Sequence, residues 1–206
     1  MSSNEIIDRL VGMRARLSPI EVLQGKLEKE KQLKREEAQW YWLEMIEEGY
    51  LVIDSDSRST DDIITKITLG DRFDCLVLDY LQLISTGKDQ YEGLREAMKS
   101  LQELTVSQGI SSVFLSQISN QSQREGENTK VDGFKGAGDI GQVANIAIKL
   151  VREKQNGDWT KWYGLDVVKN RHGKIGKVTC KIDFPGGIIS DLTSSELLEW
   201  KNHYEI

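Results

Sequence analysis

Leu76-Val77-Leu78-Asp79-Tyr80-Leu81-Gln82-Leu83 is an apolar run that delivers an acid partway along and then resumes around an amide. The part from Cys75 to Asp79 is too short for a buried helix and has no breaker, so it reads as a buried strand. Working outward, a short helix from Asp61 to Ile67, capped by Thr60, precedes it, and a helix from about Tyr91 to Gln108, closed by Gly109, follows. Next comes a second apolar strand, Ser111 to Leu115, and Leu51 to Asp54 reads as an earlier one. Short apolar runs separated by helical stretches predict an α/β fold with a mostly parallel sheet and crossover helices.

The ends of the chain differ from this centre. Ser2 with Glu5 and Ser18 with Glu21 fit the Ser-x-x-Glu capping box, and Pro19 takes a first helical position, where its missing N–H costs nothing. Helices therefore start near Ser3 and Pro19, and a third, highly charged helix runs from Glu28 to Glu48 and stops at Gly49. Its Trp40, Tyr41 and Trp42 read as core aromatics in preference to a base-stacking platform. Ser119 to Gly133 is polar and lacks periodicity, which makes it a long loop. Beyond it, Ala144 to Arg152 and Tyr163 to Lys169 read as strands around a polar turn at Gln155 to Asp158. Asn170 to Gly176 joins a further strand, Lys177 to Phe184, as a hairpin. Pro185, Gly186 and Gly187 break the sheet, and a last helix runs from Ser194 through Trp200. Length predicts one domain, with residues 1–49 a helical lead-in, 50–193 a sheet core and 194–206 a C-terminal helix.

Composition narrows the class. No run approaches the roughly 18 apolar residues of a membrane span, and the first residues are charged and amphipathic, so a soluble cytoplasmic protein is expected. Cys75 and Cys180 lack metal-ligand spacing and read as buried, reduced thiols. A net charge of −6 argues against a nucleic-acid partner only if charge is evenly spread, and it is not. From Ser119 to Lys181 twelve Lys and Arg stand against seven Asp and Glu, whereas residues 1–118 hold 14 against 21. That distribution leaves room for a basic face on an acidic protein.

The chemistry-bearing residues lie where these strands end. Asp79, at the carboxyl end of its strand, can hold a magnesium ion beside nucleotide phosphates; taken alone it reads more readily as a turn or cap residue. The next strand ends in Ser116-Gln117, and the Gln117 amide can sense a γ-phosphate. Gly133-Phe134-Lys135-Gly136-Ala137-Gly138-Asp139-Ile140-Gly141-Gln142 offers a lysine among exposed amides, which suits phosphate binding or, equally, a flexible helix start. Lys169-Asn170-Arg171-His172-Gly173-Lys174-Ile175-Gly176 puts Lys169 and Arg171 at alternate positions, on one side of a strand end; two solvated cations are the plain alternative, and His172 is a turn residue.

In order and spacing these segments resemble the motor domain of DnaB-like replicative helicases, over nearly the whole chain. Asp79-Tyr80-Leu81-Gln82 looks like that family's second motif, Ser116-Gln117 like its third, and Lys135 to Gln142 like its DNA-contacting fourth. Lys169-x-Arg171-x-Gly173-x-x-Gly176 looks like its inter-subunit finger. Gly141, Val143 and Asn145 depart from the acidic residues usual in the fourth motif.

The resemblance implies a RecA-like, mostly parallel twisted sheet flanked by helices, with antiparallel hairpin strands toward the C-terminus. It also implies a parent protein that hydrolyses ATP with Mg2+ between subunits of a ring, a hexamer in the family, and translocates on single-stranded DNA. Primase or other replication proteins would be partners. Asp79 would bind the metal, Gln117 would report the γ-phosphate, and Lys169 and Arg171 would serve a neighbouring subunit's site. Lys135, Gly136 and Gly138 would hold DNA. No Gly-x-x-x-x-Gly-Lys-[Ser/Thr] loop occurs in the 206 residues, and in the family it lies upstream. The chain alone is therefore expected to bind no nucleotide. The rival reading is a truncated, ATPase-inactive module that binds nucleic acid or a helicase partner; recombinases and circadian-clock ATPases share the fold type but fit the quoted motifs less well.

Overall fold

The computed structural model describes residues 2–23, 26–70, 72–84, 90–117, 143–155, 158–183 and 187–203. The chain divides into two compact units, one of Asp56–Ile148 with Val167–Gly176, the other of Met1–Ser55, Lys149–Asp166 and Lys177–Ile206.

In the first unit, β1 (Cys75–Leu78) pairs in parallel with β2 (Ser111–Phe114), in the register Leu76↔Ser112 and Leu78↔Phe114. Between them run a 3-10 turn, Leu81–Leu83, and the crossover helix α5 (Gln90–Gln108). An earlier helix, α4 (Thr60–Leu69), completes the layer. Because α5 repeats apolar residues at helical spacing, Leu94, Met98, Leu101 and Leu104 fall on one buried stripe. That stripe meets Ile63 of α4, Leu81 of the 3-10 turn, and Leu76, Leu78 and Phe114 from one face of the strand pair. Strand alternation turns Cys75 and Val77 the other way, and both are exposed. The expected burial of Cys75 is thus corrected by its place on the outward face.

Two further expectations shift in this region. The cap of α4 is Ser59, not Thr60, with Asp62 closing the box by accepting from the Ser59 N–H. Leu51 to Asp54 is not a strand, because the Leu51 N–H is already spent on the Met45 carbonyl at a helix end.

In the second unit, α1 (Ser3–Ala15), α2 (Pro19–Leu23) and α3 (Lys29–Glu47) bury Val11, Ala15, Leu17, Val22 and Ala38 together. Both expected capping boxes form, at Ser2 with Glu5 and at Ser18 with Glu21. Gly49, just past α3, has φ +76, which an L side chain rarely adopts. Of the three aromatics on α3, Trp42 packs on this cluster and Tyr41 lies under the Arg14 guanidinium, 3.5 Å from its ring centroid. Trp40 is 72% exposed, against expectation, since the narrow Ala38 face is the one that α3 buries.

A second sheet has the order β3-β4-β5-β6, with β3 Ile146–Gln155, β4 Asp158–Asn170, β5 Gly176–Asp183 and β6 Ile188–Asp191. Cys180 is buried, as expected, and its thiol donates to the Tyr163 carbonyl. The sheet does not end at Pro185 to Gly187. The chain returns as β6, which pairs antiparallel with β5 from Cys180↔Asp191 to Asp183↔Ile188. The final helix, α6 (Ser194–His203), is capped by Thr193 in a box with Glu196.

Leu101 is fully buried, so Leu101→Ala leaves a cavity beneath β1 and β2 and costs about 2–5 kcal/mol, readable as a lowered denaturant midpoint. A midpoint equal to that of the parent would contradict this packing. The Glu196 carboxyl accepts from Lys181 at 2.7 Å and from Thr193, which pull its pKa from 4.5 to about 2. Since the folded value is the lower one, this contribution is complete above pH 4.5 and lost as pH falls through about 2. Stability curves of the parent and Glu196→Gln should separate above that window and converge below it; curves parallel throughout would count against the link.

Candidate functional site

Asp79 follows the last residue of β1, and Gln117 lies three residues past the end of β2; both are exposed at the carboxyl edge of the parallel pair. Two backbone bonds carry the pairing beyond the strands, Leu115 N–H to Leu78 carbonyl at 2.9 Å and Leu81 N–H to Leu115 carbonyl at 3.0 Å. The side chain of Gln82 then closes the edge. Its amide nitrogen donates to the Ser116 hydroxyl at 2.8 Å, while its carbonyl accepts from the Gln117 N–H at 3.4 Å. One glutamine thereby couples the segment carrying Asp79 to the segment carrying Gln117. The Asp79–Tyr80 peptide is cis.

Lys169 and Arg171 sit at the end of β4. The Arg171 N–H donates to the Asn145 carbonyl at 2.9 Å, and its guanidinium donates to the Asn145 side-chain oxygen at 3.1 Å. Asn145 thus grips Arg171 twice. The turn after it is shaped by Asn170, which accepts from the His172 N–H and donates to the Lys174 carbonyl. Burial pushes the Lys169 ammonium below the ordinary lysine range, and the neighbouring Arg171 charge adds to this.

All four residues belong to the same compact unit. Asp79 and Gln117 are brought to one sheet edge, and Lys169 and Arg171 adjoin at another strand end. Lys135, Gly136, Gly138 and the Ser119 to Gly133 segment lie outside the described residues. Among the described residues no three His, Cys, Asp or Glu side chains group around a metal position.

Sequence reasoning quoted Gln82 within a motif but missed its clipping role, as it missed the holding role of Asn145. The signal for Gln82 was present as an amide set between two leucines. Asn145 was noticed only as a departure from a pattern.

The parallel pair, the crossover helix and the antiparallel C-terminal strands define a RecA-like α/β protein. The model of the family described as DnaB-like helicase C-terminal domain matches residues 1–186, and the chain belongs to that family. It is 28% identical over 182 residues to a "Probable plasmid replicative DNA helicase" of Chlamydia trachomatis, covering 85% of this chain and 39% of that one. A protein of the same description from Chlamydia muridarum is 26% identical over 190 residues, covering 89% of this chain and 40% of that one. The chain therefore spans about two fifths of the length of the curated relatives it matches.

Among solved structures, a DnaB-like replicative helicase described with its interactions with primase superposes with a TM-score of 0.77 at 19% identity, over 94% of this chain and 49% of that one. A KaiC-like protein of Pyrococcus horikoshii shares the fold with a TM-score of 0.54 at 18% identity, over 78% and 70% of the two chains. No helix among the described residues is long and apolar enough to cross a membrane.

Replacing Gln82 with alanine removes both side-chain bonds at the sheet edge. At about 0.5–1.5 kcal/mol each, the expected loss is about 1–3 kcal/mol in denaturant unfolding, with the far-UV spectrum unchanged. An unaltered midpoint would show that the clip contributes nothing.

Proposed function

We propose that residues 1–206 form the sensor-and-finger portion of a DnaB-type helicase motor, one partial domain that by itself is silent in ATP turnover and engages single-stranded DNA and a neighbouring subunit. The observation that carries this reading is the clipped edge of β1 and β2, which holds Asp79 and Gln117 at the carboxyl ends of adjacent parallel strands. Open α/β sheets bind their ligands there. Silence of the isolated chain rests on the lack of any Gly-x-x-x-x-Gly-Lys-[Ser/Thr] loop in these residues, and so of a cradle and a lysine for the phosphates.

The edge residues fit one side of a nucleotide site. Asp79 would hold Mg2+, and Gln117 would contact the γ-phosphate of ATP. Bound there, the ion neutralises charge on the phosphate oxygens. Lys169 and Arg171 would act on a neighbouring subunit's nucleotide, with Asn145 keeping the guanidinium extended for that task. Lys135 and the amides of Gly136 and Gly138 would hold the DNA backbone, in contacts that are largely sequence-independent and weaken with salt. A hexameric ring and a primase partner extend this reading by analogy with the family and with the solved helicase described with primase.

One experiment in two parts tests it. The purified 206-residue chain should show no ATP turnover. In a protein that also carries the phosphate-binding loop, Arg171→Ala should lower hydrolysis by about a thousandfold or more, the scale of an arginine finger, with DNA binding little changed. Mixing those subunits with Asp79→Ala subunits should restore part of the activity, because some composite sites then have both intact halves. Full activity of the Arg171→Ala assembly would remove the finger role, and turnover by the isolated chain that vanishes in Asp79→Ala would overturn its silence.

A further inference from the structure

The outer part of the β3 and β4 pair carries an aromatic and basic cluster that the nucleotide-site reading does not use. Arg152 and Lys154 lie two apart on β3 and so share a face, as do Trp159, Lys161 and Tyr163 on β4. Cross-strand contacts join the two sets. The Arg152 guanidinium lies 5.3 Å from the Trp159 ring centroid and 5.7 Å from that of Tyr163, and the Lys154 ammonium lies 4.2 Å from Trp159. One strand of one sheet thus treats two tryptophans in opposite ways. Trp162 is 4% exposed and belongs to the interior, whereas Trp159 is 55% exposed, so its indole meets solvent while Arg152 and Lys154 lie over the ring.

Among the described residues, the charged groups seen over the indole are the cations Arg152 and Lys154. Asp158 adjoins Trp159 in sequence and by alternation faces the other way, and the Glu199 carboxylate is engaged by Lys161 at 3.4 Å. Arg152, whose Nε also donates to the Thr160 carbonyl at 3.2 Å, and Lys154 thus bring positive charge to an indole that is more than half exposed. An acidic peptide would use the cations and leave the ring idle. A single-stranded nucleic acid uses both, because every base has a π face and every linkage an anion.

We propose that this face is a separate single-stranded nucleic-acid contact, in which a base stacks on Trp159 while Arg152 and Lys154 hold the adjoining phosphates. It goes beyond the function proposed above, needing neither nucleotide nor the Lys135 segment. Such a contact would be sequence-tolerant and salt-sensitive.

The test is fluorescence anisotropy of a labelled oligothymidylate titrated with the 206-residue chain. Trp159→Ala should weaken binding about tenfold or more, and Trp159→Phe, which keeps a stacking face, should recover most of it. Lys154→Ala should lower the slope of log K against log salt by about one. If the alanine variant at Trp159 loses its folded far-UV spectrum, the Trp159→Phe and Lys154→Ala measurements decide.

Wild-type affinity and salt slope in these variants would overturn the site, as would an absence of binding by the parent chain. Displacement of the oligonucleotide by polyglutamate, with Trp159 indifferent, would assign the face to an acidic protein and overturn it equally. Lys135→Ala separates this inference from the proposed function. Binding lost in Lys135→Ala but kept in Trp159→Ala sinks the inference alone, and the converse sinks only the DNA role of Lys135.

Discussion

The parallel pairing of β1 with β2 is the constraint on which the site depends. A parallel pair cannot be closed by a tight turn, so the chain must cross over, and α5 is that crossover. The helix in turn supplies the buried stripe that holds the strands from below, through Leu94, Met98, Leu101 and Leu104. Because both strands run the same way, their carboxyl ends coincide, and the residues just past them, Asp79 and Gln117, emerge together. Gln82 converts that coincidence into a fixed geometry, since its amide carries a donating nitrogen and an accepting oxygen and each meets a different atom of the neighbouring segment.

The second pair of site residues is held by a different device. Arg171 receives no help from the parallel strands; it is gripped through its backbone and its guanidinium by Asn145, a residue 26 positions away in sequence. A glutamate or aspartate at that position would bind the guanidinium as an ion pair and neutralise it. An amide holds the fork without itself adding a negative charge beside it. For a group whose task would be to meet phosphate, that difference is chemically useful. Lys169 at the same strand end is lowered first by burial and then by the adjacent Arg171 charge.

Membership in the DnaB-like family rests on a match across residues 1–186, whereas the solved structures, at about a fifth identity, speak for the fold. Much of that fold was legible in advance. The strand at Cys75, the crossover helix, the strand at Ser111 and the two serine capping boxes were visible because each is specified by neighbours a few residues apart. The misreadings share a cause. Leu51 to Asp54 has the composition of a strand, but its first amide is taken by α3. Cys75 and Trp40 are apolar residues on elements that bury only one face, and they lie on the other. The strand β6 was hidden behind Pro185, since a proline ends a strand but does not prevent the chain from pairing again after it.

By itself the sequence determined the α/β class and the order of the main elements, and it placed Asp79, Gln117, Lys169 and Arg171 at or just past strand ends. Those conclusions follow from periodicity, caps and the position of polar residues at strand ends, all of which are local. Only the tertiary structure decided which side chains hold them, Gln82 for one pair and Asn145 for the other, and that Trp159 stands open between Arg152 and Lys154 while Trp162 is enclosed. Hydrogen bonds and ring contacts of this kind join residues that sequence spacing leaves unrelated. Their partners are chosen by strand register and face, which are set only when the sheet has closed upon its core.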